Sequence, residues 1–206
     1  MTVLVVGASG ATGKQLVNQL LESGQQVKVI VRSVKQLPES WKTNKNLLII
    51  SASILELSDG EMIEHAQDCD AIASCLGHNL TLKGVYGQPR KLVTNATQRL
   101  CEAIIKTNPK QPIKYVLMNT TGNRNRDLNE PISFAQKCVI GLLRLVLPPH
   151  VDNEKAADYL RTEIGQNNRF IEWTAVRPDG LINEDEVTDY KIHPSPIRSA
   201  IFNAGI

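Results

Sequence analysis

The sequence is poor in aromatic residues and has no long apolar run. Phe, Trp and Tyr make up 4% of its 206 residues, and no stretch approaches the roughly 20 apolar residues that a membrane-spanning helix needs. The formal net charge of +2 gives no reason to expect nucleic acid or an anionic membrane as a partner. Hydrophobic residues still make up 42% of the chain, so the composition predicts a single domain, residues 1–206, with a buried core.

Cysteine is also scarce, and its spacing excludes the common metal sites. The cysteines have no C-x-x-C pairing and no histidine at a spacing suited to zinc, so we predict no metal site. We expect buried thiols of a reducing compartment, the cytoplasm, and no signal-peptide pattern follows Met1. The cysteines are Cys69, Cys75, Cys101 and Cys138.

A glycine-rich turn, Gly7–Gly13, has the most informative pattern in the chain. It follows the apolar run Val3–Val6 and precedes a segment with helical apolar spacing, Leu16–Leu21. Strand, glycine turn and helix are the context of a dinucleotide-binding fingerprint, although the spacing here is G-x-x-G-x-x-G. Residues without a Cβ let the backbone approach a pyrophosphate, and the N–H groups of the next helix would bind it. The alternative is an ordinary glycine-rich loop.

Arg32 ends the second predicted strand, Gln26–Val31. NAD-binding folds usually place an acidic residue near this point for the ribose 2′-hydroxyl, whereas an arginine accommodates a 2′-phosphate. Arg32, with Ser33 beside it, therefore favours NADP(H) over NAD(H). The alternative for Arg32 is a solvated loop charge.

Short apolar runs alternate with segments of helical spacing along the chain. This alternation predicts an α/β fold of the Rossmann type, with a doubly wound, mainly parallel sheet and helices on both faces. The further strands are predicted at Leu47–Ile50, Ala71–Leu76, Tyr115–Met118 and Phe170–Val176, and the further helices at Glu56–Gln67, Lys91–Lys106 and Asp152–Ile164.

A doubly wound sheet binds its ligand beyond the carboxyl ends of the strands, between strands one and four. Ser51–Ile54 is then expected to flank the adenine, and Leu76–Asn79 the middle of the coenzyme. Asn119–Gly122 and Arg177–Gly180 should lie near the nicotinamide and its substrate.

Four short motifs together resemble the atypical short-chain dehydrogenase/reductase superfamily. Within it, the chain is similar to the NAD(P)H-binding group that contains flavin reductase/biliverdin reductase B and the NmrA-like proteins. The motifs are the glycine turn, Val31-Arg32, Cys75-Leu76-Gly77 and Val176-Arg177-Pro178. The resemblance implies pyrophosphate binding by the glycine turn, 2′-phosphate binding by Arg32, and a nicotinamide bordered by the later turns. The residues that it assigns to the coenzyme are Gly7, Ser9, Gly10, Ala11, Thr12, Gly13, Arg32, Leu76, Gly77 and Thr120. We add Ser33, Ser53 and Pro178 as coenzyme-binding candidates from their places after strands two, three and six.

The chain departs from these relatives in two places. They often carry an Asp after strand three that contacts adenine, whereas this chain has Ser51-Ala52-Ser53. Adenine contact is therefore expected from the backbone or from Ser53. The relatives also continue with another helix and strand after the region 197–204, so the chain ends early by comparison.

The usual catalytic pair of the superfamily, a Tyr followed four residues later by a Lys, is missing. The residues at that spacing after the four tyrosines are Arg90, Asn119, Glu163 and Pro194. A carbonyl reductase or epimerase of the usual mechanism is therefore disfavoured, because no tyrosine has the lysine that would lower its pKa. Reduction of a flavin or quinone needs less, because the acceptor stacks on the nicotinamide and its proton comes from solvent.

Three polar side chains are candidates for catalysis. Thr120 and Thr121 follow strand five, where a hydroxyl would orient a carboxamide or the acceptor. The alternative is a strand-end hydroxyl satisfied by the backbone. His78 follows Gly77 and would titrate near neutrality, unless it is an ordinary exposed loop histidine.

Residues 123–150 stand apart from the alternation. A polar stretch, 123–131, precedes the very apolar run Phe134–Leu147, and Pro148-Pro149 ends it. We predict a flexible loop and then a helix that forms a lid on the substrate side and excludes water. Core packing, a homodimer surface and a membrane-surface helix are the alternatives.

Two functions are compatible with these features. The first is an NADPH-dependent oxidoreductase that transfers hydride to a flavin, a quinone or a similar conjugated small molecule. The second is an NmrA-like protein that senses NADP and regulates a partner without turnover. The missing Tyr/Lys pair fits both.

Overall fold

The described residues form a parallel sheet with helices on both of its faces. A computed structural model describes residues 1–79, 81–128, 130, 132–178, 181 and 189–197. The sheet has six strands in the order β3-β2-β1-β4-β5-β6, and every neighbouring pair is parallel. The strands are β1 (Thr2–Val6), β2 (Gln26–Val31), β3 (Leu47–Ser51), β4 (Ala71–Ser74), β5 (Ile113–Met118) and β6 (Ile171–Val176). The predicted doubly wound α/β fold is confirmed, with its change of direction between β1 and β4.

Most of the helices connect the strands in the predicted places. A short 3₁₀ turn at Arg126–Leu128 precedes the sixth helix, and a π-helical turn at Leu160–Ile164 extends the seventh. The helices are α1 (Ala11–Glu22), α2 (Glu39–Lys42), α3 (Asp59–Ala66), α4 (Leu82–Tyr86), α5 (Leu92–Thr107), α6 (Phe134–Val146) and α7 (Pro148–Tyr159).

Alternating side chains of the strands build two separate cores. On β1, Leu4 and Val6 face one core, and Val3 and Val5 face the other. Successive strand residues point to opposite faces, so a strand that is covered on both sides is apolar throughout. Helices α3, α5 and α7 cover the first core, and α1 and Trp41 of α2 cover the second. Full burial of one such aliphatic side chain contributes roughly 1.5–3 kcal/mol.

Several predicted boundaries were wrong by a few residues, each for a local reason. Helix α3 begins at Asp59 rather than Glu56, because Ser58 and Glu61 form a reciprocal capping box. Helix α7 begins at Pro148 rather than Asp152, because a proline fits the first turn of a helix, where its missing N–H is not needed. His150 therefore lies inside this helix and not in a preceding turn.

Helix α6 is confirmed as a helix, but it does not join either core. Ile140 is its only buried residue among those described. Phe134 and Leu145 are 81% and 82% exposed. The alternative that this segment is ordinary core packing is therefore wrong.

Parts of two predicted features lie outside the described residues. They are Asp179 and Gly180 in the turn after β6, and residues 198–204 of the C-terminal region that was compared with the relatives.

Candidate functional site

The glycine turn between β1 and α1 is tightly packed against the end of β4. Gly7 has a φ of +77°, a region that favours glycine, and a Cβ there would overlap the backbone of Cys75 and Leu76. A Cβ on Gly13 would overlap the carbonyl group of Gly7. The fold itself therefore requires glycine at Gly7 and Gly13.

Gly10 is different, because a Cβ at this position would overlap no atom of the residues that the structure describes. A Cβ at Gly10 would lie 3.4 Å from the Gly7 carbonyl oxygen, which is ordinary van der Waals contact. Gly10 is exposed and is the N-cap residue of α1, where it offers no side-chain hydrogen bond. The missing side chain thus leaves open space in front of the helix.

The first turn of α1 is open to an anion. No side chain caps it, and it contains no acidic residue. Helix α3 shows the contrast, because Ser58 and Glu61 close its N-terminus. Uncapped N–H groups and the positive end of the helix dipole are the usual site for a phosphate. Exposed Ser9, Ala11 and Thr12 flank Gly10 in this turn, and Gly13 is buried.

Arg32 lies at the carboxyl end of β2, beside the glycine turn on the neighbouring strand. Val6 of β1 pairs with Ile30 of β2, so the residues that follow both strands leave the sheet side by side. Arg32 and Ser33 are exposed, and Arg32 makes no salt bridge within the described residues. Its guanidinium group is therefore available to a ligand beside the turn.

Ser53 follows β3, on the far side of Arg32. The N–H of Ala52 donates to the carbonyl of Val31 at 2.9 Å, which continues the sheet to this point. The carbonyl of Ser53 accepts from Glu56 and Leu57, so its backbone is fixed in a turn. The side chain of Ser53 is half-buried and remains the polar group available at this position.

The turn after β4 contacts the glycine turn directly. Cys75 donates its N–H to the Val6 carbonyl at 2.9 Å. Leu76 is half-buried, whereas Gly77 is exposed, and a Cβ on Gly77 would meet no atom within 4 Å. This turn therefore presents one apolar side chain and an open backbone next to the glycine turn.

His78 is not an exposed loop histidine. Its side chain is 6% exposed, and Nε2 lies 2.8 Å from Oδ2 of Asp152, which is 1% exposed. The same carboxylate accepts hydrogen bonds from the N–H groups of Val93 and Thr94 at 2.8 and 3.0 Å. The Thr94 hydroxyl also donates to it, at 2.6 Å. Asp152 thus joins the turn after β4 to α5 and α7.

Thr120 and Thr121 lie together with Pro178 at the ends of β5 and β6. The Thr120 hydroxyl oxygen accepts the N–H of Gly122 at 3.2 Å, which is the backbone-satisfied alternative for this side chain. Its O–H remains a donor. The N–H of Thr121 donates to the Pro178 carbonyl at 3.3 Å.

Asn119, the first residue of the predicted turn Asn119–Gly122, supports this loop through its side chain. Its side-chain oxygen accepts the N–H of Thr120 at 2.8 Å and also accepts a hydrogen bond from Asn123. Its side-chain N–H donates to the carbonyl of Asn153 on α7 at 3.2 Å. Because Asn153 follows Asp152, α7 connects the loop of Thr120 to the turn of His78.

Burial makes the nearby thiol and phenol groups unreactive. Burial raises the pKa of Cys75 to about 11, so this thiol is protonated at neutral pH. Burial also raises the pKa of Tyr115, whose hydroxyl donates to Thr97. Burial raises the pKa of Tyr159 to about 12. These side chains are poor candidates for the nucleophile or the proton donor of a reaction.

The segment predicted to form a lid borders a cavity of about 560 Å³. Helix α6 and the loop Gly122–Arg126 form one side of this cavity, and α7 and the outer edge of β6 form the other. The residues of the glycine turn do not line it. Residues 123–150 thus include both a helix outside the sheet and the start of α7.

Other side chains were missed by sequence reasoning, and a buried ion pair is the clearest example. Arg177 makes a two-point contact with Glu130, at 3.0 and 2.6 Å, and these side chains are 14% and 6% exposed. The pKa of Glu130 is lowered because hydrogen bonds from Arg177 and Asn125, with the charge of Arg177, outweigh burial, which raises it. Arg177 also donates to the carbonyl of Asn123 at 3.0 Å. This pair fixes the loop below the lid segment.

A family model described as NAD(P)H-binding matches residues 7–199. The chain belongs to this NAD(P)H-binding family. The matched range begins at Gly7, the first glycine of the turn, and covers nearly all of the described strands and helices.

The comparisons with individual proteins agree with this family. An uncharacterized chloroplastic protein of Arabidopsis thaliana is 28% identical over 192 residues, which are 93% of this chain and 63% of that protein. The chain therefore spans less than two thirds of this plant relative.

Two solved structures are similar in fold. The oxidoreductase ylbE of Lactococcus lactis has a TM-score of 0.62 at 20% identity, over 90% of this chain and 72% of that one. A short-chain dehydrogenase/reductase of Veillonella parvula has a TM-score of 0.65 at 14% identity, over 92% and 74%. The predicted NAD(P)H-binding group is confirmed by the family model, and these two structures share the fold of the chain.

No helix in the described part of the chain is both long and apolar enough to cross a membrane.

Proposed function

We propose that this protein is an NADPH-dependent oxidoreductase that transfers hydride to a flavin, a quinone or a similar conjugated small molecule. The observation that carries the proposal is the open N-terminus of α1 behind Gly10, next to the unpaired guanidinium group of Arg32. When bound, the coenzyme supplies the hydride.

The residues present fit such a coenzyme. The space beside Gly10 lets a pyrophosphate approach the backbone, and the first-turn N–H groups of α1 would donate to it. Arg32 and Ser33 would bind the 2′-phosphate, and Ser53 would face the adenine. Leu76, Gly77 and Pro178 would border the nicotinamide, with Thr120 beside it.

Arg32 supports NADP(H) rather than NAD(H) as the coenzyme. A guanidinium group that is not paired with a carboxylate is a complementary partner for a phosphate. The first turn of α1 also lacks an acidic residue that would repel a phosphate group. The discrimination expected from one such contact is about 1.5–3 kcal/mol.

His78 is the side chain that we propose for proton delivery to the reduced acceptor. Asp152 can only accept a hydrogen bond when ionised, so Nε2 of His78 carries the proton of that contact. Nδ1 then faces away from the carboxylate. The buried Asp152 holds the ring in one orientation, which a proton donor needs.

The acceptor would be positioned rather than chemically activated. Thr120 and Thr121 would orient it by hydrogen bonds. Tyr86, an exposed tyrosine, donates its hydroxyl to the Val146 carbonyl at 2.9 Å. Tyr86, Tyr115 and Tyr159 are therefore poor acids for a carbonyl reduction, which favours an acceptor that takes its proton from His78 or from solvent.

A non-catalytic NADP sensor of the NmrA-like kind is the second candidate. The observation in its favour is that the Thr120 hydroxyl oxygen already accepts the N–H of Gly122. A loop that is satisfied by its own backbone suits a binding protein as well as an enzyme. Under this proposal, coenzyme binding would change the affinity for a partner.

Steady-state oxidation of NADPH in the presence of FMN and of simple quinones separates these two functions. The reductase predicts many turnovers per protein molecule, lowered by Thr120→Ala and retained by Thr120→Ser. Saturable binding of NADPH without turnover for any acceptor of the panel would favour the sensor.

Location and assembly complete the proposal. The four cysteines are free thiols, which suits a reducing compartment such as the cytoplasm, although the plant relative is described as chloroplastic. The exposed apolar face of α6 would be covered in a homodimer, which sedimentation of the purified protein would detect.

A further inference from the structure

The cavity beside α6 has an unusual balance of charges. Of the side chains that line it, six are cationic and two are carboxylates. The cationic residues are Arg124, Arg126, Lys137, Arg144, Arg161 and Arg177. The carboxylates are Glu154 and Asp158.

Four of the arginines are held by acidic partners. Arg126 and Arg161 both contact Asp158, at 3.2 and 3.3 Å, and Arg161 also contacts Asp127 at 2.9 Å. Arg144 binds Glu154 through two nitrogens, at 2.8 and 2.9 Å. Arg177 is paired with Glu130, as described above. These ion pairs fix the walls of the cavity, and within them the carboxylates neutralise the charges of the arginines.

Arg124 and Lys137 are the two other cationic residues that line the cavity. Neither makes a salt bridge within the described residues, although both line the cavity. Arg124 lies on the loop after β5, and Lys137 on the first part of α6. They are therefore the positive charges that a ligand would neutralise.

Apolar side chains also line the cavity. Ile140 of α6 is 5% exposed, and Ala157 of α7 and Trp173 of β6 lie near it along the same cavity. A volume of about 560 Å³ is within the usual range for small-molecule sites. The cavity thus combines an apolar surface with unpaired positive charge.

We propose that this cavity binds an acceptor that carries an anionic group, with Arg124 and Lys137 as the residues that select it. The acceptor is a conjugated molecule with a phosphate, sulfonate or carboxylate. Its anionic group binds the two cations, and its flat body packs against Ile140, Ala157 and Trp173. This inference rests on the proposed reductase function only in naming the ligand as the acceptor.

The proposal is tested with FMN and riboflavin, which differ only in the phosphate group. Their dissociation constants are measured by calorimetry at low and high salt, and NADPH-dependent turnover is measured with both flavins. Anthraquinone-2-sulfonate provides a second anionic probe. We expect FMN to bind about tenfold more tightly than riboflavin, and high salt to reduce the difference.

Arg124→Gln and Lys137→Gln are the informative variants, because neither removal leaves a carboxylate without its partner. Each should weaken FMN binding about fivefold to tenfold and leave riboflavin binding unchanged. Lys110→Gln is the matched control, since it removes the same charge from an exposed turn before β5. Urea unfolding of all three variants checks that they fold.

The outcomes separate this inference from the proposed function. Equal binding of the two flavins, an FMN preference that survives both variants, or no binding of either anionic probe would overturn the inference. Equal turnover of FMN and riboflavin would leave the reductase intact and overturn the anion selection. Selective FMN binding without turnover would support the cavity and contradict the reductase.

Discussion

Asp152 accepts four hydrogen bonds from two other parts of the chain, and the one from Nε2 of His78 is 2.8 Å long. The others come from the backbone N–H groups of Val93 and Thr94 and from the Thr94 hydroxyl. One buried carboxylate therefore caps the N-terminus of α5, belongs to α7 and orients a side chain at the candidate site. Asp152 therefore both stabilises the fold and orients the side chain that we propose as the proton donor.

Asp152→Ala should destabilise the protein much more than His78→Ala. The first change leaves the two buried N–H groups of Val93 and Thr94 without their acceptor, which we expect to cost about 3 kcal/mol. The second removes one of four donors to Asp152 and should cost about 1 kcal/mol. Urea unfolding measures both. Similar losses for the two variants would show that the carboxylate has no special structural role.

The same pair of residues gives a separate prediction for activity. His78→Ala should lower turnover with little change in the affinity for NADPH, because His78 is proposed to act on the acceptor. His78→Gln keeps a hydrogen-bond donor for Asp152 and cannot donate as an imidazolium. If His78→Gln retains full turnover, His78 does not deliver the proton.

Arg32→Ala should weaken the binding of NADPH much more than that of NADH. The lost charge-assisted contact corresponds to about 1.5–3 kcal/mol, or roughly tenfold to a hundredfold. Lys45→Ala is the control, since Lys45 is an exposed cation before β3, at the amino ends of the strands and therefore away from Arg32 at their carboxyl ends. Equal losses for both coenzymes would remove Arg32 from the 2′-phosphate site.

The three glycines of the turn should respond differently to alanine. Gly7→Ala and Gly13→Ala place a Cβ on neighbouring backbone and should destabilise the fold by several kcal/mol. Gly10→Ala has room for its methyl group, so it should fold with a stability change of at most about 1 kcal/mol and bind NADPH weakly. Thermal unfolding and coenzyme titration of each variant provide the two measurements. Normal affinity in Gly10→Ala would contradict the assigned phosphate site.

Glu154 should make the stability depend on pH in the acid range. Burial would raise its pKa, but interactions with His150 and Arg144 outweigh burial and lower the pKa from 4.5 to about 2. Because the folded-state pKa is the lower one, Glu154 stabilises the fold fully above pH 4.5 and progressively less as the pH falls to about 2.

Glu154→Gln tests this dependence. At neutral pH this variant should be less stable than the parent protein, and the difference should disappear near pH 2. Glu64→Gln, on an exposed position of α3, is the control and should follow the parent protein at every pH. A constant difference between Glu154→Gln and the parent would show that the carboxylate charge is not the cause.

The sheet order and the glycine turn were predictable because their signals are local. The four residues Val3 to Val6 are all apolar, so both faces of β1 are apolar. This pattern indicates a strand that is covered on both sides. Gly7 and Gly13 are needed for the backbone of the turn itself, so the motif is visible within seven residues of sequence.

The Asp152 network could not be predicted, because it joins distant parts of the chain. Asp152 is 74 residues from His78 and 58 from Thr94, and no periodic pattern links them. In addition, Pro148 and Pro149 were interpreted as a break before the helix, whereas they form its first turn. The start of α7 was therefore misplaced, and with it the context of Asp152.

Helix α6 shows a different limit of sequence reasoning. Its apolar residues predicted a helix correctly, but they did not show that Ile140 alone would be buried. Whether an apolar helix face packs on the sheet depends on the loops that place it, and those loops have no periodicity. The cavity beneath α6 was missed for the same reason.

Titration calorimetry of the purified, folded protein with NADPH and with NADH tests the central claim most directly. The open N-terminus of α1 and the unpaired Arg32 predict saturable heat with NADPH and an affinity at least about tenfold lower for NADH. An absence of binding heat with both coenzymes, over a range of temperatures, would contradict the account.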